Sequence, residues 1–173
     1  MTGIADQASL RSEGNLQLEA LYRAHASGAV RLAYLLTGDA ALAQDLAQEA
    51  FVRVGSKLLG LRSPEQARAY LFKTTLNLCR ARGRRLKVER AAAARLHRPE
   101  TELPPDVAAR DALWQALLVL PLRQRSALFL RYYEDLSESQ AADAFGCSIG
   151  AMKSLVNRGL KELRLQLEGT RDD

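Results

Sequence analysis

Between Arg80 and Arg90 six bases (Arg80, Arg82, Arg84, Arg85, Lys87 and Arg90) face one acid, Glu89. That local charge of +5 equals the net charge of the whole 173-residue chain. Cations at this density bind phosphates. Tyr70, Phe72, Lys73 and Asn77 stand just before the run. They add ring faces on which a base can stack, an ammonium, and a carboxamide that can pair with a base edge. A basic run can also be a solvated helix end favoured by the helix dipole. The aromatic and amide neighbours favour single-stranded nucleic acid instead.

A second polar set lies near the C-terminus, where Lys153, Ser154, Asn157, Arg158 and Lys161 occur with no acid between Ser148 and Lys161. Lysine, serine and amide groups at such spacing can contact phosphates and base edges in a duplex groove. Gly150 and Ala151 keep the first turn of this helix slim, allowing close approach. Ile149, Met152, Val156, Leu163 and Leu167 form an apolar stripe that must face a core. The polar residues off the stripe could be an ordinary solvated face. The punctuation before them argues otherwise. Ser137 to Gln140 is a capping-box pattern opening a short helix to Ala144, Gly146 suits a left-handed turn, and Ser148 caps the last helix. Two short helices joined this way make a helix-turn-helix.

A third set, Asp45, Gln48, Glu49 and Arg53, comes at three- and four-residue steps. Taken alone it is a solvated helix face, although such groups can also form a polar contact with a partner helix.

Catalytic chemistry has little to work with. The two histidines, His25 and His97, are far apart, and no serine or cysteine nucleophile motif accompanies them. No glycine-rich phosphate loop and no metal-ligand spacing occurs, so no catalytic residue, metal or cofactor is expected. Cys79 and Cys147 cannot make a disulfide framework and read as small buried thiols in a reducing cytoplasm. A redox-sensing role for them is a minor alternative. With 47% apolar and 26% charged residues the chain has the composition of a globular protein. No apolar stretch reaches the ~18 residues that would suggest a membrane span, and residues 1–15 lack a signal-peptide core.

The elements that must position these sets are all helical by period. A first helix covers 16–37. Gly38-Asp39 breaks and recaps the chain for a second through Val54, and Ser63-Pro64-Glu65-Gln66 opens a third that runs towards Arg85. The stretch 91–107 changes composition, and Pro99, Pro104 and Pro105 make it the expected linker. Asp106 can cap a helix reaching Leu120, and Pro121 starts another ending near Tyr133. The expected fold class is all-α: two small helical domains joined by a flexible linker, the second containing the helix-turn-helix. The expected organisation is a flexible 1–15, a helical domain over 16–90, a linker over 91–107, a second domain over 108–168, and a flexible 169–173.

The segment "LPLRQRSALFLRYYEDLSESQAADAFGCSIGAMKSLVNRGLKELR" resembles the C-terminal domain of bacterial extracytoplasmic-function (ECF) sigma factors. "LYRAHASGAVRLAYLLTGDAALAQDLAQEAFVRV" looks like their promoter-core domain, and "ARAYLFKTTLNLCRARGRRLKVER" like the part that recognises and melts the −10 element. The resemblance spans roughly 16–167 in the family's order, and its actinobacterial members are the nearest in character. It implies that Ser148, Gly150, Ala151, Lys153, Ser154, Asn157 and Arg158 lie at or near the −35 element. It likewise implies −10 contacts for Tyr70, Lys73, Asn77, Arg80, Arg82, Arg84 and Arg85, and contact of Asp45, Gln48, Glu49 and Arg53 with the polymerase β′ clamp coiled coil. Leu155, Ala81 and Tyr70 depart from residues common in the family. Leu155 is expected to remove a polar contact to the −35 element, and Ala81 and Tyr70 to alter the base-capturing pocket.

The implied function is an alternative sigma factor that binds core RNA polymerase, including its β flap, and directs promoter recognition and melting. The implied partners are the polymerase, promoter DNA and an anti-sigma factor. The implied location is the cytoplasm, with an anti-sigma factor able to hold the chain at the membrane. The rival is a stand-alone helix-turn-helix regulator, which would bind a palindromic duplex without polymerase. A purely structural bundle fits poorly with the +5 cluster.

Overall fold

Long stretches of helical period, broken by glycine, proline and capping residues, dictate the architecture. The computed structural model describes residues 3–92 and 112–169, with side chains described over 13–85 and 113–168. The order is α1 (Gly3–Thr37), α2 (Ala40–Gly55), a 3-10 turn (Leu58–Gly60) and α3 (Pro64–Ala92), then α4 (Ala112–Val119) and α5 (Leu122–Leu128). A π-helical turn (Phe129–Tyr133) continues α5 and leads to α6 (Glu138–Phe145) and α7 (Ile149–Gly169). No strand occurs among the described residues. The chain is all-α, in two helical parts.

Two elements are longer than the pattern suggested. Helix α1 opens at Gly3, ahead of the expected start at residue 16, because Ala5, Gln7, Ala8, Leu10 and Arg11 are all strong helix formers. Helix α3 passes Arg85 and reaches Ala92, into the first two residues of the expected linker. The rest of that linker, the cap expected at Asp106, residues 170–173 and the side chains of Lys87 and Arg90 lie outside the described residues.

The helix starts follow local chemistry. Asp39 accepts from the Leu42 amide at 2.9 Å, and Ser63 from the Gln66 amide at 3.2 Å. At α6 the capping box closes in both directions: the Ser137 hydroxyl accepts from the Gln140 backbone amide at 3.2 Å and the Gln140 side-chain Oε1 from the Ser137 backbone amide at 2.9 Å. Each such cap satisfies amides that the helix itself leaves unpaired. The Ser148 hydroxyl accepts from the Ala151 amide at 3.1 Å. Gly146 ends α6 at φ 74°, the left-handed conformation in which a Cβ is disfavoured.

Packing follows the apolar faces. Helices α1, α2 and α3 bury Leu32, Leu35, Val54, Leu71, Phe72 and Leu76. Around α5, α6 and α7 the buried set includes Leu128, Phe129, Leu130, Leu136, Phe145 and Met152. The two sets belong to one hydrophobic cluster, because α3 packs on α6 and α1 on α5. At the end of the π-helical turn the amide of Glu134 donates to the carbonyl of Phe129 at 3.0 Å. Asp135 then takes φ 49° and turns the chain into α6.

Candidate nucleic-acid interface

Ser148, which caps α7, and Gly150, Lys153, Ser154, Asn157 and Arg158 on the helix are exposed, and Ala151 is half-buried. The helix is held from beneath by Met152, Leu155 and Val156, all buried. Two expectations change here. Ile149 is 47% exposed rather than buried, because it is the first residue of α7 and lies at the edge of the core. Leu155 is 7% exposed and belongs to the core, so it does not stand on the exposed face of α7, where a polar contact could have been lost.

The polar side chains of α7 are already oriented. Lys153 Nζ lies 3.2 Å from Glu138 Oε2 at the start of α6. Arg158 folds back on its own helix, its Nε donating to the Ser154 carbonyl and its Nη2 to the Ser154 hydroxyl, both at 3.2 Å. A shallow cavity of about 220 Å³ lies between Arg131, Tyr132, Glu138, Lys153 and Asn157. Serine, amide and cationic groups thus line an exposed helix start with no acid on α7 before Glu162.

On α3, Asn77, Arg84 and Arg85 are exposed, while Tyr70, Lys73, Arg80 and Arg82 are half-buried; Phe72, expected to offer a ring face to a base, is instead fully buried in the core because it lies on the inner side of the helix. Tyr70 has the Lys57 ammonium 5.8 Å from its ring centroid, at the outer range of a cation–π contact. Lys73 and Arg80 are engaged by the other helical part. Lys73 Nζ is 3.0 Å from both carboxylate oxygens of Asp143. Arg80 donates to the Phe145 carbonyl at 2.8 Å and stacks over the Phe145 ring at 4.4 Å. Burial, and secondarily the neighbouring Arg123 charge, pulls the Arg80 pKa below the ordinary arginine range. A cavity of about 370 Å³ opens between α1, the 3-10 turn and the start of α3, lined by Leu21, His25, Leu58, Arg62 and Pro64. Tyr70 and Asn77 do not line it.

On α2, Asp45, Gln48, Glu49 and Arg53 are all exposed, while Leu46 and Ala50 are buried and Leu42 packs on the core from its edge. Arg53 and Glu49 form an ion pair one turn apart. Val52, absent from the polar set that the sequence singles out, is 72% exposed on this helix. Its signal was its spacing, four residues after Gln48 and three after Glu49. No group of three or more metal-ligating side chains occurs among the described residues. Burial pushes the Cys79 thiol up to about 12, which keeps it protonated and unreactive near neutrality. Cys147 is half-buried rather than fully buried.

The family model for Sigma-70 region 2 matches residues 21–88, and that for Sigma-70 region 4 matches residues 110–163. An RNA polymerase sigma-E factor of Streptomyces avermitilis is 33% identical over 88% of this chain and 86% of its own length. The ECF RNA polymerase sigma factor SigL of Mycobacterium tuberculosis is also 33% identical, over 87% of this chain and 89% of its own. The fold is shared with the sigma factor RpoE of Bartonella quintana, solved in complex with the anti-sigma factor NepR. The TM-score is 0.70 at 24% identity, over 92% of this chain and 97% of that one. With both regions present in order, and relatives matched over nearly their full length, the chain belongs to the sigma-70 family as an ECF-type RNA polymerase sigma factor, which brings polymerase to promoters.

Proposed function

We propose that the three polar sets divide the work of initiation between them. The face of α2 carrying Asp45, Gln48, Glu49, Val52 and Arg53 docks on the β′ clamp coiled coil of core polymerase. The α3 set, Tyr70, Lys73, Asn77, Arg80, Arg82, Arg84 and Arg85, meets the −10 element and holds the melted strand. Stacking on Tyr70 and pairing with Asn77 suit an unstacked base, and the arginines suit phosphates. The start of α7, from Ser148 to Arg158, enters the major groove of the −35 element. On this reading residues 16–90 carry polymerase and −10 contacts, 108–168 carry −35 and β-flap contacts, and the chain performs no catalysis of its own. It acts in the cytoplasm under the control of an anti-sigma factor, a partner seen with the structural neighbour from Bartonella.

The observation that carries the reading is the pairing, in one chain of this family, of an exposed acid-free start on α7 with a cation-rich, aromatic- and amide-bearing α3. A stand-alone regulator needs the first and has no use for the second. Run-off transcription with purified core polymerase tests it. The expected result is initiation that needs both proteins. Specific binding of a palindromic duplex by the chain alone, with no polymerase-dependent transcript from any genomic promoter, overturns it.

A further inference from the structure

The cavity of about 370 Å³ between α1, the 3-10 turn and the start of α3 lies outside the three polar sets, and no residue assigned above to polymerase or DNA lines it. It exists because Ala20 and Ala24, one turn apart on α1, meet Ala67 of α3 around a space that none of them is long enough to fill. Its walls are fixed from several directions. The 3-10 turn is closed by the Gly60 amide on the Lys57 carbonyl and the Leu61 amide on the Leu58 carbonyl, both at 2.9 Å. Leu21 and Leu58 are buried. The His25 ring is held between Glu134, whose Oε2 is 3.7 Å from Nδ1, and the edge-on ring of Phe72, with centroids 6.0 Å apart. The space is therefore formed before anything enters it. Its volume falls at the lower end of the range for small-molecule sites, about 300–1,000 Å³.

The polar groups of the lining are unbalanced in charge. No aspartate or glutamate lines the cavity. Ser63 uses its hydroxyl on the Gln66 amide. The side chains of Arg62 and Gln17 are exposed, and neither has a hydrogen bond or ion pair among the described residues. We propose that this cavity binds a small amphiphilic anion, an apolar chain or ring ending in a single carboxylate. The apolar part lies against Leu21, Leu58 and Leu61, where the area it removes from water drives binding. The carboxylate takes the fork of the Arg62 guanidinium, with the Gln17 carboxamide as a second donor. A polyphosphate brings more charge than one arginine neutralises, and a neutral hydrocarbon leaves that arginine unused. Occupancy braces α1 against the turn that leads into α3, next to Lys57, whose ammonium lies 5.8 Å from the Tyr70 ring centroid. The inference stands on the cavity and its charge, and does not depend on the division of labour proposed above.

The isotopically labelled full chain is titrated with sodium octanoate, with octanamide as the neutral counterpart of the same shape, and with sodium acetate as the anion without an apolar body. Backbone amide shifts are followed by NMR at octanoate concentrations below micelle formation. The expected result is saturable shifts centred on residues 17–25 and 58–67. Octanoate should bind about three- to tenfold more tightly than octanamide, and acetate should give no saturable shift. Arg62→Gln should lower octanoate to the affinity of octanamide. Ala24→Phe should fill the space and weaken both by about tenfold or more. Arg62 and Ala24 are exposed, so neither substitution removes a core contact. The absence of saturable octanoate shifts, or shifts centred elsewhere in the chain, overturns the proposal. So does octanoate binding that survives Ala24→Phe. Equal affinity for octanoate and octanamide overturns the anionic ligand and points to an apolar side chain of a partner protein as the occupant.

Discussion

The Arg80 guanidinium, half-buried on α3, reaches the last residue of α6, bonding the Phe145 carbonyl at 2.8 Å and stacking on its ring at 4.4 Å. Sixty-five residues of chain separate the two. One side chain therefore belongs to the basic run of α3 by sequence and ties two helical parts together by position.

Reversing charge at Lys153 should weaken promoter binding without loosening the fold. Lys153 lies 3.2 Å from Glu138, and the pair is exposed, so its own contribution to stability is under about 1 kcal/mol. Lys153→Glu should lower initiation from a −35-dependent promoter by roughly tenfold and reduce the salt dependence of duplex binding. Core-polymerase affinity, measured by fluorescence titration, should stay at its wild-type value. Loss of polymerase binding would show that this face of α7 has another role.

The α2 face should be separable in the opposite sense. Asp45 and Glu49 are exposed and away from the core, so Asp45→Lys and Glu49→Lys should leave thermal unfolding nearly unchanged. Each should weaken binding to an isolated β′ coiled-coil fragment about tenfold in a pull-down or calorimetric titration, by opposing the charge that the interface expects. Unchanged affinity in both variants would remove α2 from the polymerase contact.

Gly146→Ala isolates a backbone effect. An added Cβ there meets nothing within 4 Å, so packing is not the issue. The φ of 74° is the whole cost, about 1–2 kcal/mol for a residue with a Cβ. Urea unfolding should show that loss with an unchanged m-value, and duplex binding should weaken only as far as the turn between α6 and α7 shifts.

Alkaline destabilisation should pass through Cys79. Its pKa is about 12 in the folded chain, from burial, against 9.0 for the free group. Between those values the unfolded chain has lost the proton and the folded chain keeps it. Stability is therefore fully present below pH 9 and falls as pH rises above it, by at most about 1.4 kcal/mol per pH unit. Tyr34, also raised by burial, adds to the slope near its ordinary value of 10.0 and above. Cys79→Ala should flatten the curve above pH 9 in urea denaturation. At pH 8 a thiol reagent should modify Cys147 well before Cys79.

Much of the architecture was legible one helix at a time. Asp39, Ser63, Ser137 and Ser148 mark four helix starts because a capping hydroxyl or carboxylate acts on amides two or three residues away. Gly146 marks the helix-turn-helix for a similarly local reason. The exposure of Asp45, Gln48, Glu49 and Arg53 opposite Leu46 and Ala50 follows from the period of a single helix. The family resemblance likewise rests on residues in order along the chain.

The tertiary structure decided what periodicity cannot express. Helical period gives the angle of a residue around its axis, not how far the neighbouring core extends along it. Ile149, on the apolar side by angle, is therefore exposed at the helix end, and Leu155, at the margin of the stripe, is buried. Nor does any local pattern connect Lys73 with Asp143, Arg80 with Phe145, or Gly28 with Glu134. Those partners lie on different helices, and only the packing of α1 and α3 against α5 and α6 brings them together. The sequence by itself determined the helices, their caps and the chemistry each face offers. Which of those faces meet one another depended on long-range burial, which sums over the whole chain and leaves no short-range signature.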